Sequence, residues 1–207
     1  MRLYLSSERM GARFEELVAF LGPGAKAAVV ANATDFLPEL ARRIYTRTVF
    51  DPAAHFRKHG VEAFDLDLRA YFGRPRLLED ALAQVRLVFA TGGNAFLLRR
   101  AMRQSGLDGI LQRRVPQGEM VYGGWSAGSA VASPTLHGIE LMDDPKVLAE
   151  GYDAEPVWEG LALIDFTFVP HFRSLHAESA AAERVAAWLT KDGRPFKAVR
   201  DGEVVVI

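Results

Sequence analysis

The chain has 207 residues, enough to bury a core without disulfide or metal staples, and reads as one domain over residues 1–207. Its 25 Lys and Arg against 26 Asp and Glu leave a net charge of −1, so no global field draws it onto nucleic acid or an anionic membrane. The absence of cysteine excludes a disulfide framework, a thiolate-held zinc or iron–sulfur site and a thiol nucleophile, which leaves oxygen or nitrogen for any covalent chemistry.

The N-terminus carries only three apolar residues in a row, Leu3-Tyr4-Leu5, too few for the middle of a secretion signal. No run approaches the roughly 20 apolar residues that span a bilayer, and a cytoplasmic location is the expectation. Short apolar runs predict strands at Leu3–Leu5, Ala27–Ala31, Val61–Leu66, Leu87–Ala90, Met120–Gly123 and Ile164–Val169. Between them, Ala12–Leu21, Pro38–Arg57, Arg76–Gln84, Phe96–Gln104 and Glu178–Leu189 place apolar residues at helical spacing. This alternation predicts an α/β fold with a mostly parallel sheet covered by helices on both faces. A terminal hairpin of Phe196–Val199 and Glu203–Ile207 is expected to turn at Asp201-Gly202. The longest loop, from Pro134 to about Gly160, is acidic and aperiodic, and reads as a mobile segment or a lid.

The stretch Met120–Ala130 runs an apolar strand into Gly124-Trp125-Ser126-Ala127-Gly128 and then into small helix formers, the Gly-x-Ser-x-Gly pattern of a nucleophile elbow. A strand-to-helix turn this tight exposes the Ser126 hydroxyl at a helix N-terminus, where developing negative charge is favoured. Glycine on either side removes side chains that would strike neighbouring strands. A serine needs a base to take its proton, and of five histidines His171 is the candidate, since it follows Ile164–Pro170 at the end of a strand. His55, His59, His137 and His176 fall on a charged helix, in the acidic loop or just before the last helix, and read as surface or capping residues. An acid that orients the imidazole is sought downstream: Asp201 in the terminal turn, with Glu203 as its neighbouring alternative. The Ala127 amide follows from the elbow as one oxyanion donor, and Thr91-Gly92-Gly93-Asn94 offers a second after the strand Leu87–Ala90.

Gly92-Gly93-Asn94, Gly124-Trp125-Ser126-Ala127-Gly128 and Pro170-His171-Phe172, in this order, resemble the peptidase E and cyanophycinase family of serine peptidases over nearly the whole chain. The resemblance implies a three-layer α/β/α sandwich related to class I glutamine amidotransferases. It implies Ser126 as nucleophile, His171 as general base, Asp201 as the acid, and Gly93 and Ala127 as oxyanion donors. Asn94 and Arg173 are the substrate-binding candidates. It further implies a short-peptide substrate, no cofactor or metal, and a homodimer or larger assembly. Peptidase E reads an N-terminal aspartate with an arginine in the helix after the histidine; this chain has alanine there and Arg184 further on, so strict aspartyl specificity is not expected.

Two other readings use the same residues. An α/β-hydrolase-type esterase would draw its acid from between Ser126 and His171, namely Asp143, Asp144, Asp153 or Asp165. An inactive small-molecule or peptide-binding homologue would keep the fold without the chemistry.

Overall fold

The computed structural model describes residues 1–207. Five parallel strands and one antiparallel edge strand form its main sheet. β1 (Leu3–Ser6), β2 (Lys26–Val30), β3 (Glu62–Asp65), β4 (Val85–Ala90) and β5 (Val121–Trp125) are joined at the edge by β8 (Val204–Val206), in the order β3-β2-β4-β5-β1-β8. Pairing is parallel throughout except between β1 and β8.

The strands are apolar on both faces because helices cover both. Along β2, Ala27 and Val29 point into one cluster of 15 buried residues, and Ala28 and Val30 into another of 39. The smaller cluster is closed by α1 (Phe14–Leu21) and α3 (Pro52–Lys58) through Leu17 and Phe56. The larger is closed by α4 (Pro75–Ala81), α5 (Ala95–Ser105), α6 (Leu107–Arg114), α7 (Ala127–Ala130) and α8 (Ser179–Asp192). This is the expected α/β/α sandwich. Each fully buried Leu or Phe in it contributes about 1.5–3 kcal/mol of burial free energy.

Four local expectations change. The helix read over Pro38–Arg57 is two, α2 (Glu39–Thr48) and α3, because Pro52 opens a new helix whose N-cap Asp51 accepts from the Ala54 amide. The helix α6 was not anticipated, although Leu107, Ile110 and Leu111 have helical spacing; Gly106, left-handed at φ 80°, ends α5 immediately before it. The run Ile164–Val169 yields only a short strand, β6 (Thr167–Val169), outside the main sheet.

The terminal hairpin is the fourth correction. β7 (Phe196–Ala198) pairs in parallel with β6 as a separate two-stranded sheet, while β8 crosses to β1. The Asp201-Gly202 turn therefore bridges two sheets instead of closing a hairpin. Dipeptide turn chemistry specifies the bend but not the partner of either arm.

The Pro134–Gly160 segment is not free to swing as a lid. Arg100, 1% exposed, donates to the carbonyls of Pro145, Val147, Ala154 and Glu155, and Arg99 donates through Nε to that of Glu159. An isolated bridge between Thr135 and Glu159 ties its ends. Fixed carbonyl dipoles surround the Arg100 guanidinium, so withdrawing it would leave these acceptors unpaired.

Candidate active site

Ser126 leaves β5 in a backbone conformation unusual for any side-chain-bearing residue, φ 49° and ψ −117°. Its amide donates to the carbonyls of Ser6 and Ser7 at 3.2 and 3.0 Å, the last residue of the neighbouring strand β1 and the one after it. Ser129 secures the same bend, its hydroxyl donating to the carbonyls of Ser6 and Gly124. A Cβ at Gly128 would sit 2.1 Å from the Ala90 carbonyl oxygen, so the helix after the nucleophile candidate approaches β4 only because that position is glycine. This is the elbow geometry that the motif predicts, a strained bend that the surrounding hydrogen bonds hold in place.

The second glycine loop follows β4. Gly93 has φ 138°, and a Cβ there would lie 2.5 Å from the Ala33 carbonyl oxygen, so the loop is pressed onto the segment after β2. Gly92 faces Ser126 itself; a Cβ on it would be 3.2 Å from the Ser126 Cβ. The Gly93 amide donates no hydrogen bond within the chain. Ala127 stands first in its helix, where no intrahelical acceptor exists for its amide. Asn94 is occupied: it caps α5 by accepting from the Leu97 amide and donates to the Asp144 carbonyl, so it holds the Gly93 loop in place.

His171 comes from the other side. It follows Pro170 at the end of β6, is 1% exposed and has φ 60°. Because β6 and β7 run in parallel with Val169 opposite Ala198, the chain beyond each strand continues side by side, and Asp201 arrives next to His171. The His171 Nδ1–H donates to Asp201 Oδ1 at 2.7 Å, which leaves the Nε2 lone pair free. Two serines complete the cradle: Ser7 accepts from the His171 amide at 2.7 Å and donates to Asp201 Oδ1 at 2.8 Å, and Ser174 accepts from the Asp201 amide. Neither serine is marked by the sequence as part of the site, since both act on residues far along the chain. Burial lowers the His171 pKa, and the Asp201 hydrogen bond offsets part of that shift.

Ser126, Gly93, Asn94 and His171 line one cleft of about 1390 Å³ at the carboxyl edge of the sheet. No hydrogen bond joins the Ser126 hydroxyl to the His171 ring; Nε2 lies 3.7 Å from a Glu178 oxygen instead. His176 stacks on His171 with ring centroids 3.7 Å apart, and its Nδ1 accepts from the Glu178 amide. It bonds the amide of Glu178, the N-cap residue of α8, without capping the helix itself, and is a neighbour of the base candidate. The remaining histidines lie elsewhere, His55 on α3, His59 at its C-cap and His137 stacked on Trp158. Arg173 is exposed, lies over the Phe172 ring and does not line the cleft, and neither does Arg184. Among the other acids, Glu203 accepts from the Arg200 amide, while Asp144, Asp153 and Asp165 are exposed. Asp143 accepts from the Ala95 amide; desolvation of its carboxyl pushes it up to about 7. At the far end of the cleft, Asp35 and Asp67 neutralise Arg42 and Arg69.

The model of Peptidase family S51 matches residues 15–207. An uncharacterized peptidase, Lin0382, of Listeria innocua is 32% identical over 48% of this chain and 45% of its own length. A Drosophila melanogaster protein named probable alpha-aspartyl dipeptidase is 30% identical over 61% of this chain and 52% of its own. The aligned stretch thus spans about half of each of these curated relatives. Among solved structures, a Listeria monocytogenes EGD-e protein provisionally named peptidase E superposes with a TM-score of 0.74 at 18% identity, covering 100% of this chain and 97% of that one.

Proposed function

Because this chain belongs to peptidase family S51, we propose that it is a serine peptidase that cleaves short peptides, as a dipeptidase or aminopeptidase, without a cofactor. The observation that carries the reading is the Asp201–His171 pair, which presents a free Nε2 to the cleft that also holds Ser126 at its elbow. In this mechanism the scissile peptide brings Ser126 Oγ and His171 Nε2 together, since catalytic hydrogen bonds tighten when substrate seats. Nε2 takes the hydroxyl proton as Oγ attacks the carbonyl carbon. The Gly93 and Ala127 amides hold the resulting oxyanion. The imidazolium, balanced by Asp201, then gives its proton to the leaving amine nitrogen. Water, deprotonated by His171, releases the acyl group from Ser126.

The substrate need not begin with aspartate. Neither Arg173 nor Arg184 reaches the cleft, and Arg42 and Arg69 at its far end are already paired, whereas Arg47, which also lines it, has no acidic partner. Asn94 acts by positioning the Gly93 amide. A panel of dipeptides and tripeptides differing in the first residue, with fluorophosphonate labelling in parallel, tests this: hydrolysis beyond aspartyl peptides and an adduct on Ser126 are expected. Folded protein that neither cleaves nor labels would favour the inactive binding homologue, and turnover of esters alone the esterase.

The pH profile carries a second expectation. The base works in its neutral form, and burial makes protonation of His171 harder. The kcat/KM for the preferred peptide therefore rises with pH through a midpoint below the ordinary histidine value of about 6.5. A midpoint above that value would mean that protonation is governed by its carboxylate neighbours rather than by burial.

We further propose an assembly, on a separate observation. Helix α2 has no buried residue; Leu40, Ile44 and Tyr45 are exposed along it and Leu37 just before it, with Leu40 at 70%, and all four border the cleft that holds Ser126 and His171. An amphipathic helix with its apolar side in water gains by burying it. We assign that face to a second copy of the chain, giving a homodimer whose interface borders the mouth of the cleft. Size-exclusion chromatography with light scattering should report a dimer for the wild type and a monomer for a Leu40→Glu, Ile44→Glu double variant.

A further inference from the structure

We infer that His171, His176 and Glu178 form a site for a divalent transition metal of the zinc class, and that an ion bound there blocks the base; the blocking rests on the function proposed above, the site does not.

One ligand atom from each of the three residues can be chosen so that all lie within 4.8 Å of one another. His171 Nε2 is 3.7 Å and His176 Nδ1 3.8 Å from Glu178 Oε2. Tetrahedral zinc with bonds of about 2.0–2.1 Å separates its ligand atoms by roughly 3.3 Å, so both Glu178 separations are near that spacing, while the two histidine nitrogens must be brought to it by a turn of His176. Two imidazoles and one carboxylate suit zinc, copper or nickel, whereas magnesium and calcium prefer oxygen.

The surroundings favour the ion as well. A metal-ligating histidine ordinarily gives its other N–H to a carboxylate, which fixes the tautomer and raises the basicity of the ligating nitrogen. Asp201 already does this for His171 at 2.7 Å. The ion-pair partners of Glu178 are the two histidines, so no lysine or arginine occupies its carboxylate. All three residues line the open cleft, which provides an entry path.

One adjustment is required. The His171 and His176 rings are stacked at an interplanar angle of 10°, so their in-plane lone pairs cannot converge on one ion as they stand. His176 must turn out of the stack and release the Glu178 amide, a single hydrogen bond of 3.2 Å. Its side chain is 33% exposed and lies in the segment before α8, where such a turn is unobstructed by the core. Once formed, the site uses the same Nε2 lone pair that would accept the Ser126 proton. Metal and catalysis are then mutually exclusive.

The test begins with Ser126→Ala protein titrated with zinc chloride by calorimetry, a measurement independent of turnover. One saturable, EDTA-reversible site is expected, weakened at least about tenfold by adding His176→Ala or Glu178→Gln. His176→Phe keeps a flat ring for the stack but has no nitrogen, and should weaken zinc binding equally, separating loss of a ligand from loss of packing. With wild-type enzyme, zinc should inhibit peptide hydrolysis reversibly, and His176→Ala should need at least about tenfold more zinc relative to its own metal-free rate. No saturable binding, or binding that His176→Phe and Glu178→Gln leave unchanged, overturns the site. Saturable binding without inhibition overturns the blocking. Wild-type protein with no peptidase activity would sink the proposed function, and the calorimetry would still decide the metal site.

Discussion

Ser126→Ala is expected to lower kcat for the best peptide by about four to six orders of magnitude while leaving the fold intact. The large effect follows from chemistry: without the hydroxyl there is no acyl-enzyme, and what remains is whatever the Gly93 and Ala127 amides and substrate binding contribute. The small structural effect follows from the bonding. The elbow is held by the Ser126 amide on the Ser6 and Ser7 carbonyls and by the Ser129 hydroxyl, all of which alanine preserves. The side-chain oxygen makes no hydrogen bond that its removal would orphan. Thermal unfolding should therefore shift by no more than a few degrees, and wild-type turnover in the variant would remove Ser126 from the mechanism.

The second large effect is expected at Asp201→Asn, a loss of about three to four orders of magnitude in kcat with little change in KM. Asp201 can only accept, so the His171 proton is held on Nδ1 and the lone pair on Nε2. An asparagine can present its amide N–H to Nδ1 instead, which moves the proton to Nε2 and removes the base. Ser7 and the ring share one atom, Asp201 Oδ1, so an asparagine NH2 that meets Nδ1 also takes away the acceptor of the Ser7 hydroxyl. The removal of the carboxylate also removes the charge that raises the His171 pKa, so any residual activity should show its acid midpoint shifted further down. Asp165→Asn is the control. Asp165 is exposed and makes no contact with the imidazole, so its loss should change kcat less than twofold, or about 0.4 kcal/mol. A collapse at Asp165 with Asp201→Asn tolerated would instead support the esterase order of residues.

Ser7 and Ser174 show where sequence reading stopped. Nothing local marks a serine as a partner of residues 164 and 194 positions away, as Ser7 is of His171 and Asp201. The same limit explains His176, whose place just before α8 is legible in the sequence and whose stacking on His171 is not. Arg99 and Arg100 sit in a helix that reads as amphipathic, yet both side chains are fully buried because the Pro134–Gly160 segment folds over them. An arginine hidden by a distant loop leaves no trace in helical periodicity.

Local physics was written in the sequence: alternating short strands and helices, the glycines that let α7 and the Gly93 loop approach their neighbours, and the strained bend at Ser126. Each depends on residues within a few positions of one another, where sterics and periodicity act directly. Tertiary structure alone decided which strands pair. By setting β7 beside β6 in parallel and sending β8 back to β1, it brought Asp201 to His171 across 30 residues and placed both at one edge with Ser126. Such pairings are set by the collective burial of two sheet faces and by the closure of long loops, quantities that no short window of sequence contains.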